Sequence, residues 1–169
     1  MTFQVGEKVV YPNHGVATIE NIATRTFGSH FERFYLLRLT YNKLTVMVPF
    51  SHVAEIGLRK VTRAAEISRV LLYLAGGTSK CSQDWKQRFK DNSEKMRIGG
   101  LLELSEVLKT LLILQLDKPL SFREKKMLDR ARHMLITEIS ICRGFREPEA
   151  IEVLQKALAK ASLNFPEPL

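Results

Sequence analysis

The sequence has few of the residues from which metal sites and disulfide frameworks are built. Its two cysteines, Cys81 and Cys142, are far apart and lie in no metal-type spacing. They indicate reduced thiols in a cytoplasmic protein. Four scattered histidines form no HxxxH or Cys/His pattern, which makes a zinc site unexpected. We therefore expect no structural metal and no cofactor.

Long apolar runs and enzyme motifs are also missing. No apolar stretch approaches the ~18 residues of a membrane span, and residues 1–8 lack the basic-then-apolar order of a signal peptide. The chain contains no glycine-rich phosphate loop, no HExxH and no GxSxG. We expect a cytoplasmic protein that has no membrane partner and is not an enzyme.

What the sequence does contain is an excess of positive charge. Lys and Arg number 26 against 18 Asp and Glu, a net charge of +8. Such an excess favours a polyanionic partner, nucleic acid first. Residues 61–100 hold eight basic residues against four acidic ones, and the only tryptophan, Trp85, lies among them. This concentration indicates a local anion-binding patch.

The apolar pattern changes period near residue 61. Before it, short runs rich in β-branched and aromatic residues alternate with turn signals. Roughly five short strands suit a small closed or half-open barrel. After it, helical spacing, capping residues and helix stops at Gly76-Gly77 and Gly99-Gly100 predict about five helices. We predict the α+β class with two segregated domains, a β domain over 1–60 and a helical bundle over 61–169 whose tail is frayed from Asn164.

Trp85 opens one of the predicted helices and heads a basic segment. Asp84 is the expected cap, with Gln87 in capping-box spacing. Trp85 and Phe89 share a helix face, so both could simply pack in the bundle. A first-turn position favours exposure instead, and a ring flanked by cations at a helix start suits a minor groove or a DNA fork. The flanking cations are Lys86, Arg88 and Lys90.

A later helix carries a second set of basic residues. Ser121 and Glu124 form its capping box, and cations follow at helical spacing. They either form a solvated face opposite the core or extend the DNA-binding surface, and both alternatives stay open. The candidate contacts on this helix are Arg123, Lys125, Lys126 and Arg130, with His133 further along and Arg132 beside them.

Five segments of the chain follow one family's order and spacing. They read FQVGEKVVYPNHG at 3–15, TRT at 24–26, LTVMVP at 44–49, DWKQRFKDN at 84–92 and LSFREKKML at 120–128. Over roughly residues 1–160 the chain resembles the CarD/CdnL bacterial transcription regulators. A related domain occurs in the transcription-repair coupling factor.

This resemblance implies a fold and a function. It implies a Tudor- or SH3-like barrel that binds the β subunit of RNA polymerase. It also implies helices that contact double-stranded promoter DNA at the upstream edge of the bubble. Trp85 matches the tryptophan that wedges into the minor groove and stabilises the open complex, and Lys90 and Lys125 match basic residues of the DNA-facing surface. The implied polymerase contacts are Arg25, Thr26, Val46 and Met47.

One position departs from the family pattern. Family members often carry an arginine where this chain has Met47, so the polymerase contact there is expected to be apolar, weaker or matched to a different partner residue. We expect a monomeric, nucleoid-associated protein. Two other functions remain open: a DNA-binding protein or repressor that works without polymerase, and a protein-interaction module in which Trp85 is buried.

Overall fold

The computed structural model describes residues 2–76 and 84–169. The chain divides into two compact units, Met1–Val61 and Thr62–Leu169. Gly77, expected to end a helix, and Cys81, expected as a reduced thiol, lie outside the described residues.

The first unit is a single antiparallel sheet. Its strands are β1 (Lys8–Tyr11), β2 (Gly15–Phe27), β3 (His30–Leu39), β4 (Thr45–Pro49) and β5 (Arg59–Lys60), in the order β4-β3-β2-β1-β5. A 3₁₀ turn at Phe50–His52 and the one-turn helix α1 (Val53–Ile56) connect β4 to β5. The two edge strands, β4 and β5, do not pair within residues 2–61. Of the two predicted forms, a closed barrel and a half-open barrel, the sheet therefore has the half-open one.

Alternation along the strands builds the core of this unit. Successive side chains of a strand point to opposite faces, and Ile19, Leu37 and Val48 lie fully buried on the inner one. The Tyr35 ring stacks on Phe50 at 4.2 Å, and its hydroxyl accepts a hydrogen bond from the Phe3 N–H at 3.0 Å. The buried hydroxyl is thus satisfied, as a polar group in a core must be.

Within its described residues, 62–76 and 84–169, the second unit contains five helices, in agreement with the prediction of about five. They are α2 (Ala64–Gly76), α3 (Trp85–Ile98), α4 (Leu101–Asp117), α5 (Phe122–Arg143) and α6 (Glu147–Ala159). The leucine-rich α4 has a fully buried stripe at helical spacing, and α5 packs along it with its own stripe. The stripe residues are Leu104, Leu108 and Leu111 of α4 and Ala131, Leu135 and Ile139 of α5. Together with the first unit, this bundle confirms the predicted α+β class.

The helix ends follow the capping signals in the sequence. Asp84 caps α3 by accepting from the Lys86 N–H at 3.2 Å, and Ser121 caps α5 by accepting from the Glu124 N–H at 3.2 Å. Gly99 ends α3 in the left-handed region at φ 70°, where a residue with a Cβ is strained. The cap at α3 differs from a capping box, because Asp84 accepts from the Lys86 N–H and the Gln87 amide donates to Asp91 Oδ1 at 2.8 Å.

The C-terminal tail differs from the frayed tail expected. Phe165 is buried, and its N–H donates to Gln155 Oε1 at 2.6 Å. Arg132 of α5 donates from Nε to the Pro166 carbonyl at 2.8 Å. The Phe165 ring supplies an apolar anchor, and these side-chain partners satisfy tail backbone groups that have no helix or strand to join.

Residues 2–76 and 84–169 include no helix long and apolar enough to cross a membrane. In the same residues no three His, Cys, Asp or Glu side chains converge as metal ligands. Cys142 is a free, half-buried thiol whose pKa is raised, mainly by burial.

Candidate nucleic-acid interface

Trp85 is the first residue of α3 and projects into solvent. Its side chain is 60% exposed, although it is the largest side chain of the helix. Asp84, extended in backbone, fixes the helix start by capping it. The alternative in which Trp85 packs in the core is therefore wrong. Met96 is buried and Phe89 half-buried, so the rest of α3 anchors the helix without the tryptophan.

An enclosed ion pair fastens the start of α3 to the start of α5. Arg88 Nε donates to Glu124 Oε2 at 3.1 Å, and the two side chains are only 15% and 10% exposed. Glu124 Oε1 also accepts from the Ser121 hydroxyl at 3.2 Å. Arg88, a predicted DNA contact, therefore has its charge paired inside the unit and serves to position the two helix starts.

A cation–π contact provides a second link between the same two helices. The guanidinium of Arg123 lies over the Phe89 ring at 4.2 Å from its centroid. Such contacts contribute about 0.5–2 kcal/mol, depending on how far they are desolvated. We call residues 84–91 and 121–126 the joined helix starts.

Exposed positive charge surrounds the joined helix starts. Each helix start also presents the positive end of its dipole, which favours a phosphate. Of the local acidic residues, Glu124 is enclosed by Arg88, whereas Asp91 is an exposed carboxylate that accepts from the Gln87 amide. Asp84 is exposed as the cap. The exposed cations here are Lys86, Lys90, Arg123, Lys125 and Lys126.

Further along α5 the predicted basic surface is smaller than the sequence suggested. Arg130 is exposed, as expected. Arg132 is held by the tail through Pro166 and the Phe165 ring. The pKa of the half-buried His133 is lowered, first by burial and then by Arg132, against the raising effect of Glu147 and Asp129. His133 is therefore mainly uncharged at neutral pH.

One exposed aromatic residue of the joined helix starts, Phe122, was not among the candidate contacts predicted from the sequence. This side chain is 65% exposed at the first position of α5, and the Lys126 ammonium lies 4.7 Å from its ring centroid. The signal was a repeated order of cap, aromatic residue and cation. It occurs as Asp-Trp-Lys at 84–86 and as Ser-Phe-Arg at 121–123.

The predicted polymerase contacts fall on two parts of the sheet. Arg25 and Thr26 are exposed on a two-stranded ribbon of β2 and β3, whereas Val46 and Met47 are half-buried on the edge strand β4. Arg25 of β2 pairs with Glu32 of β3, and Met47 of β4 pairs with Leu36 of β3. The two sets of predicted contacts therefore lie on opposite sides of β3, and their partners on that strand are four residues apart. The structure does not bring them into one cluster.

Two family models match the chain. The CarD-like/TRCF RID domain covers residues 3–62, and the CarD C-terminal domain covers residues 69–155. The chain belongs to the CarD family of transcription regulators. The joined helix starts of this CarD-family protein lie within the region matched by the C-terminal domain model.

A bacterial relative agrees with this membership. The chain is 34% identical over 147 residues to a protein of Bacillus subtilis (strain 168) named "Putative transcription factor YdeB", covering 87% of this chain and 96% of the relative. A solved structure, CdnLNt from Myxococcus xanthus, is 33% identical, with 36% of this chain and 86% of that chain covered and a TM-score of 0.31.

Proposed function

We propose that this CarD-family protein stabilises the open promoter complex. The joined helix starts bind double-stranded DNA at the upstream edge of the bubble, and residues 1–60 bind the β subunit of RNA polymerase. The protein acts as a monomer at the nucleoid in the cytoplasm. The exposed position of Trp85 on a braced helix start is the observation that carries the proposal.

The first support is the mounting of the tryptophan. Proteins that kink DNA from the minor groove insert an apolar wedge between base steps and unstack them. Trp85 presents such a wedge at 60% exposure. The Asp84 cap and the Arg88–Glu124 pair hold the helix start from which it projects. A braced wedge loses little conformational freedom on binding, which favours affinity.

The second support is the charge around the wedge. Lysine and arginine side chains and helix N-termini contact phosphates and fix the position of a protein on the duplex. The exposed cations of the joined helix starts and Arg130 provide such contacts. These contacts do not read base identity, so recognition is expected to depend on the shape of the DNA and on whether it is melted. The DNA affinity is expected to depend strongly on salt concentration.

The third support concerns polymerase. The RID-domain match covers nearly the whole first unit. Arg25 and Thr26 are exposed on the ribbon, where they offer polar contacts, and β4 presents an open strand edge beside Met47. An exposed edge can pair with a strand of a partner. Met47 makes the contact at β4 apolar where relatives often have an arginine.

The lifetime of the open complex tests the proposal. With cognate polymerase on a promoter, the unaltered protein is expected to lengthen that lifetime and Trp85→Ala to abolish the effect. Leu116→Ala removes another exposed apolar side chain, 74% exposed at the end of α4, and should behave like the unaltered protein. An unchanged lifetime with all three proteins contradicts the proposal.

A second candidate is a DNA-binding protein or repressor that works without polymerase. The observation in its favour is that the joined helix starts supply wedge and charge within one unit. Capture of the polymerase β subunit by the full chain separates the two candidates, with Arg25→Glu as the variant expected to weaken capture. Tight DNA binding without any capture of β would favour the second candidate.

A further inference from the structure

We propose that Phe122 is a second aromatic contact to DNA, which stacks on an unpaired base next to the duplex that Trp85 enters. The inference rests on the proposed DNA binding by the joined helix starts. It adds a single-strand contact to a surface otherwise described by one wedge and its cations.

Phe122 is unusually exposed for a phenylalanine. Among the described residues of the second unit, Trp85 and Phe122 are the exposed aromatic side chains, at 60% and 65%. Phe89 is half-buried beneath Arg123, and Phe165 is buried. Large apolar side chains left in water often mark a contact surface. Both exposed rings lie at the first position of a helix, and the two helix starts are fastened together.

The mounting of Phe122 repeats that of Trp85. Ser121 caps α5 as Asp84 caps α3. The Lys126 ammonium lies 4.7 Å from the Phe122 ring centroid, and the Lys86 ammonium lies 5.8 Å from that of Trp85. In each case a ring and a cation are offered together at a helix N-terminus.

The charge around Phe122 favours a negatively charged binding partner. Lys125 and Lys126 are three and four residues beyond Phe122 on α5, so they share its face of the helix. The only acidic residue within 121–126, Glu124, is enclosed by Arg88. A ring bordered by cations suits a nucleic-acid strand, whose base offers a flat face and whose phosphates meet the ammonium groups.

The base must be unpaired for this contact. In a duplex each base face is covered by its neighbours, and opening a step costs a few kcal/mol. The edge of a melted bubble supplies bases that are already unstacked. At that edge Trp85 inserts into the paired DNA. Phe122 stacks on a base of the single strand that continues from the duplex.

Binding of the full chain to two DNAs tests this inference. One is a fork with a single-stranded arm, and the other is a fully paired duplex of the same sequence. Phe122→Ala is expected to weaken fork binding about fivefold or more, the lower range of base–aromatic stacking losses, and to leave duplex binding nearly unchanged. Phe122→Tyr should retain fork binding, and Leu116→Ala is the matched control for loss of an exposed apolar side chain.

The outcomes separate this inference from the function on which it rests. If Trp85→Ala weakens binding and Phe122→Ala does not, the second contact is overturned while the proposed function stands. Equal losses with Phe122→Ala on fork and duplex overturn stacking on an unpaired base. Loss of polymerase capture with intact fork binding shows a protein contact instead and also overturns it. Failure of the unaltered protein to bind either DNA overturns both.

Discussion

At the scale of single residues, the joined helix starts divide their side chains into two groups. Trp85 and Phe122 project outward, whereas Arg88 and Glu124 face each other in an enclosed pair. An enclosed ion pair does not necessarily add net stability, but removing one partner leaves the other charge buried and uncompensated. The role of Arg88 is therefore to keep two helix starts in register.

Replacement of Arg88 by methionine tests that role. Arg88→Met leaves the Glu124 carboxylate enclosed without its cation, so we expect a loss of about 2 kcal/mol in the free energy of unfolding. Arg97→Met is the matched control, because Arg97 pairs with Glu94 on the same helix with side chains 67% and 55% exposed, and such surface pairs contribute under about 1 kcal/mol. Denaturant titration measures both variants, and equal losses would contradict a positioning role for Arg88.

At the scale of elements, the helix ends decide where the chemistry is presented. The Asp84 cap starts α3 at Trp85, so the ring emerges from the first turn, where no preceding helical turn covers it. The same carboxylate is an exposed negative charge next to the proposed phosphate contacts. In the proposed complex with DNA, the capping by Asp84 and its negative charge are therefore expected to have opposite effects on DNA binding.

Two substitutions at this cap separate the effects. Asp84→Ala removes the hydrogen bond to the Lys86 N–H and is expected to cost about 1 kcal/mol of stability. Asp84→Asn keeps a capping oxygen, so stability should hold while loss of the negative charge tightens DNA binding. Thermal unfolding and DNA titration at fixed salt measure the two effects. Weaker DNA binding by Asp84→Asn would show that the cap charge does not oppose the phosphates.

At the scale of the whole molecule, the positions of the charged residues say more about DNA binding than the net charge of +8 does. Only cations that contact phosphates displace counterions and so contribute to the salt dependence of DNA binding. The exposed cations of the joined helix starts are expected to dominate that dependence. Cations elsewhere on the chain are expected to steer the approach to DNA without changing the slope of this salt dependence.

The salt dependence of DNA affinity tests this assignment. Lys86→Gln and Lys125→Gln should each reduce the slope of log K against log salt by about 0.9. Lys160→Gln changes an exposed lysine just after α6 and should leave the slope unchanged. If all three variants change the slope equally, binding is spread over the whole charged surface and the joined helix starts are not the site.

Much of the fold could be predicted because it depends on neighbours in sequence. The change from strand to helix spacing near residue 61, the caps at Asp84 and Ser121 and the stop at Gly99 are all confirmed. Each is a local preference of the backbone, satisfied within about one helical turn. The five family segments likewise identified the family without knowledge of any tertiary contact.

The site was predictable in composition and not in arrangement. Residue types and spacing placed Trp85 and its cations at a helix start, since helix geometry follows from sequence alone. The pairing of Arg88 with Glu124 joins residues 36 positions apart, and the packing of Phe165 depends on α5 and α6. Contacts of this kind exist only after the helices have packed, because packing decides which charges are enclosed and which rings remain in water. Tertiary structure therefore enclosed Arg88, packed the tail and left Phe122 exposed beside a tryptophan that the sequence had already singled out.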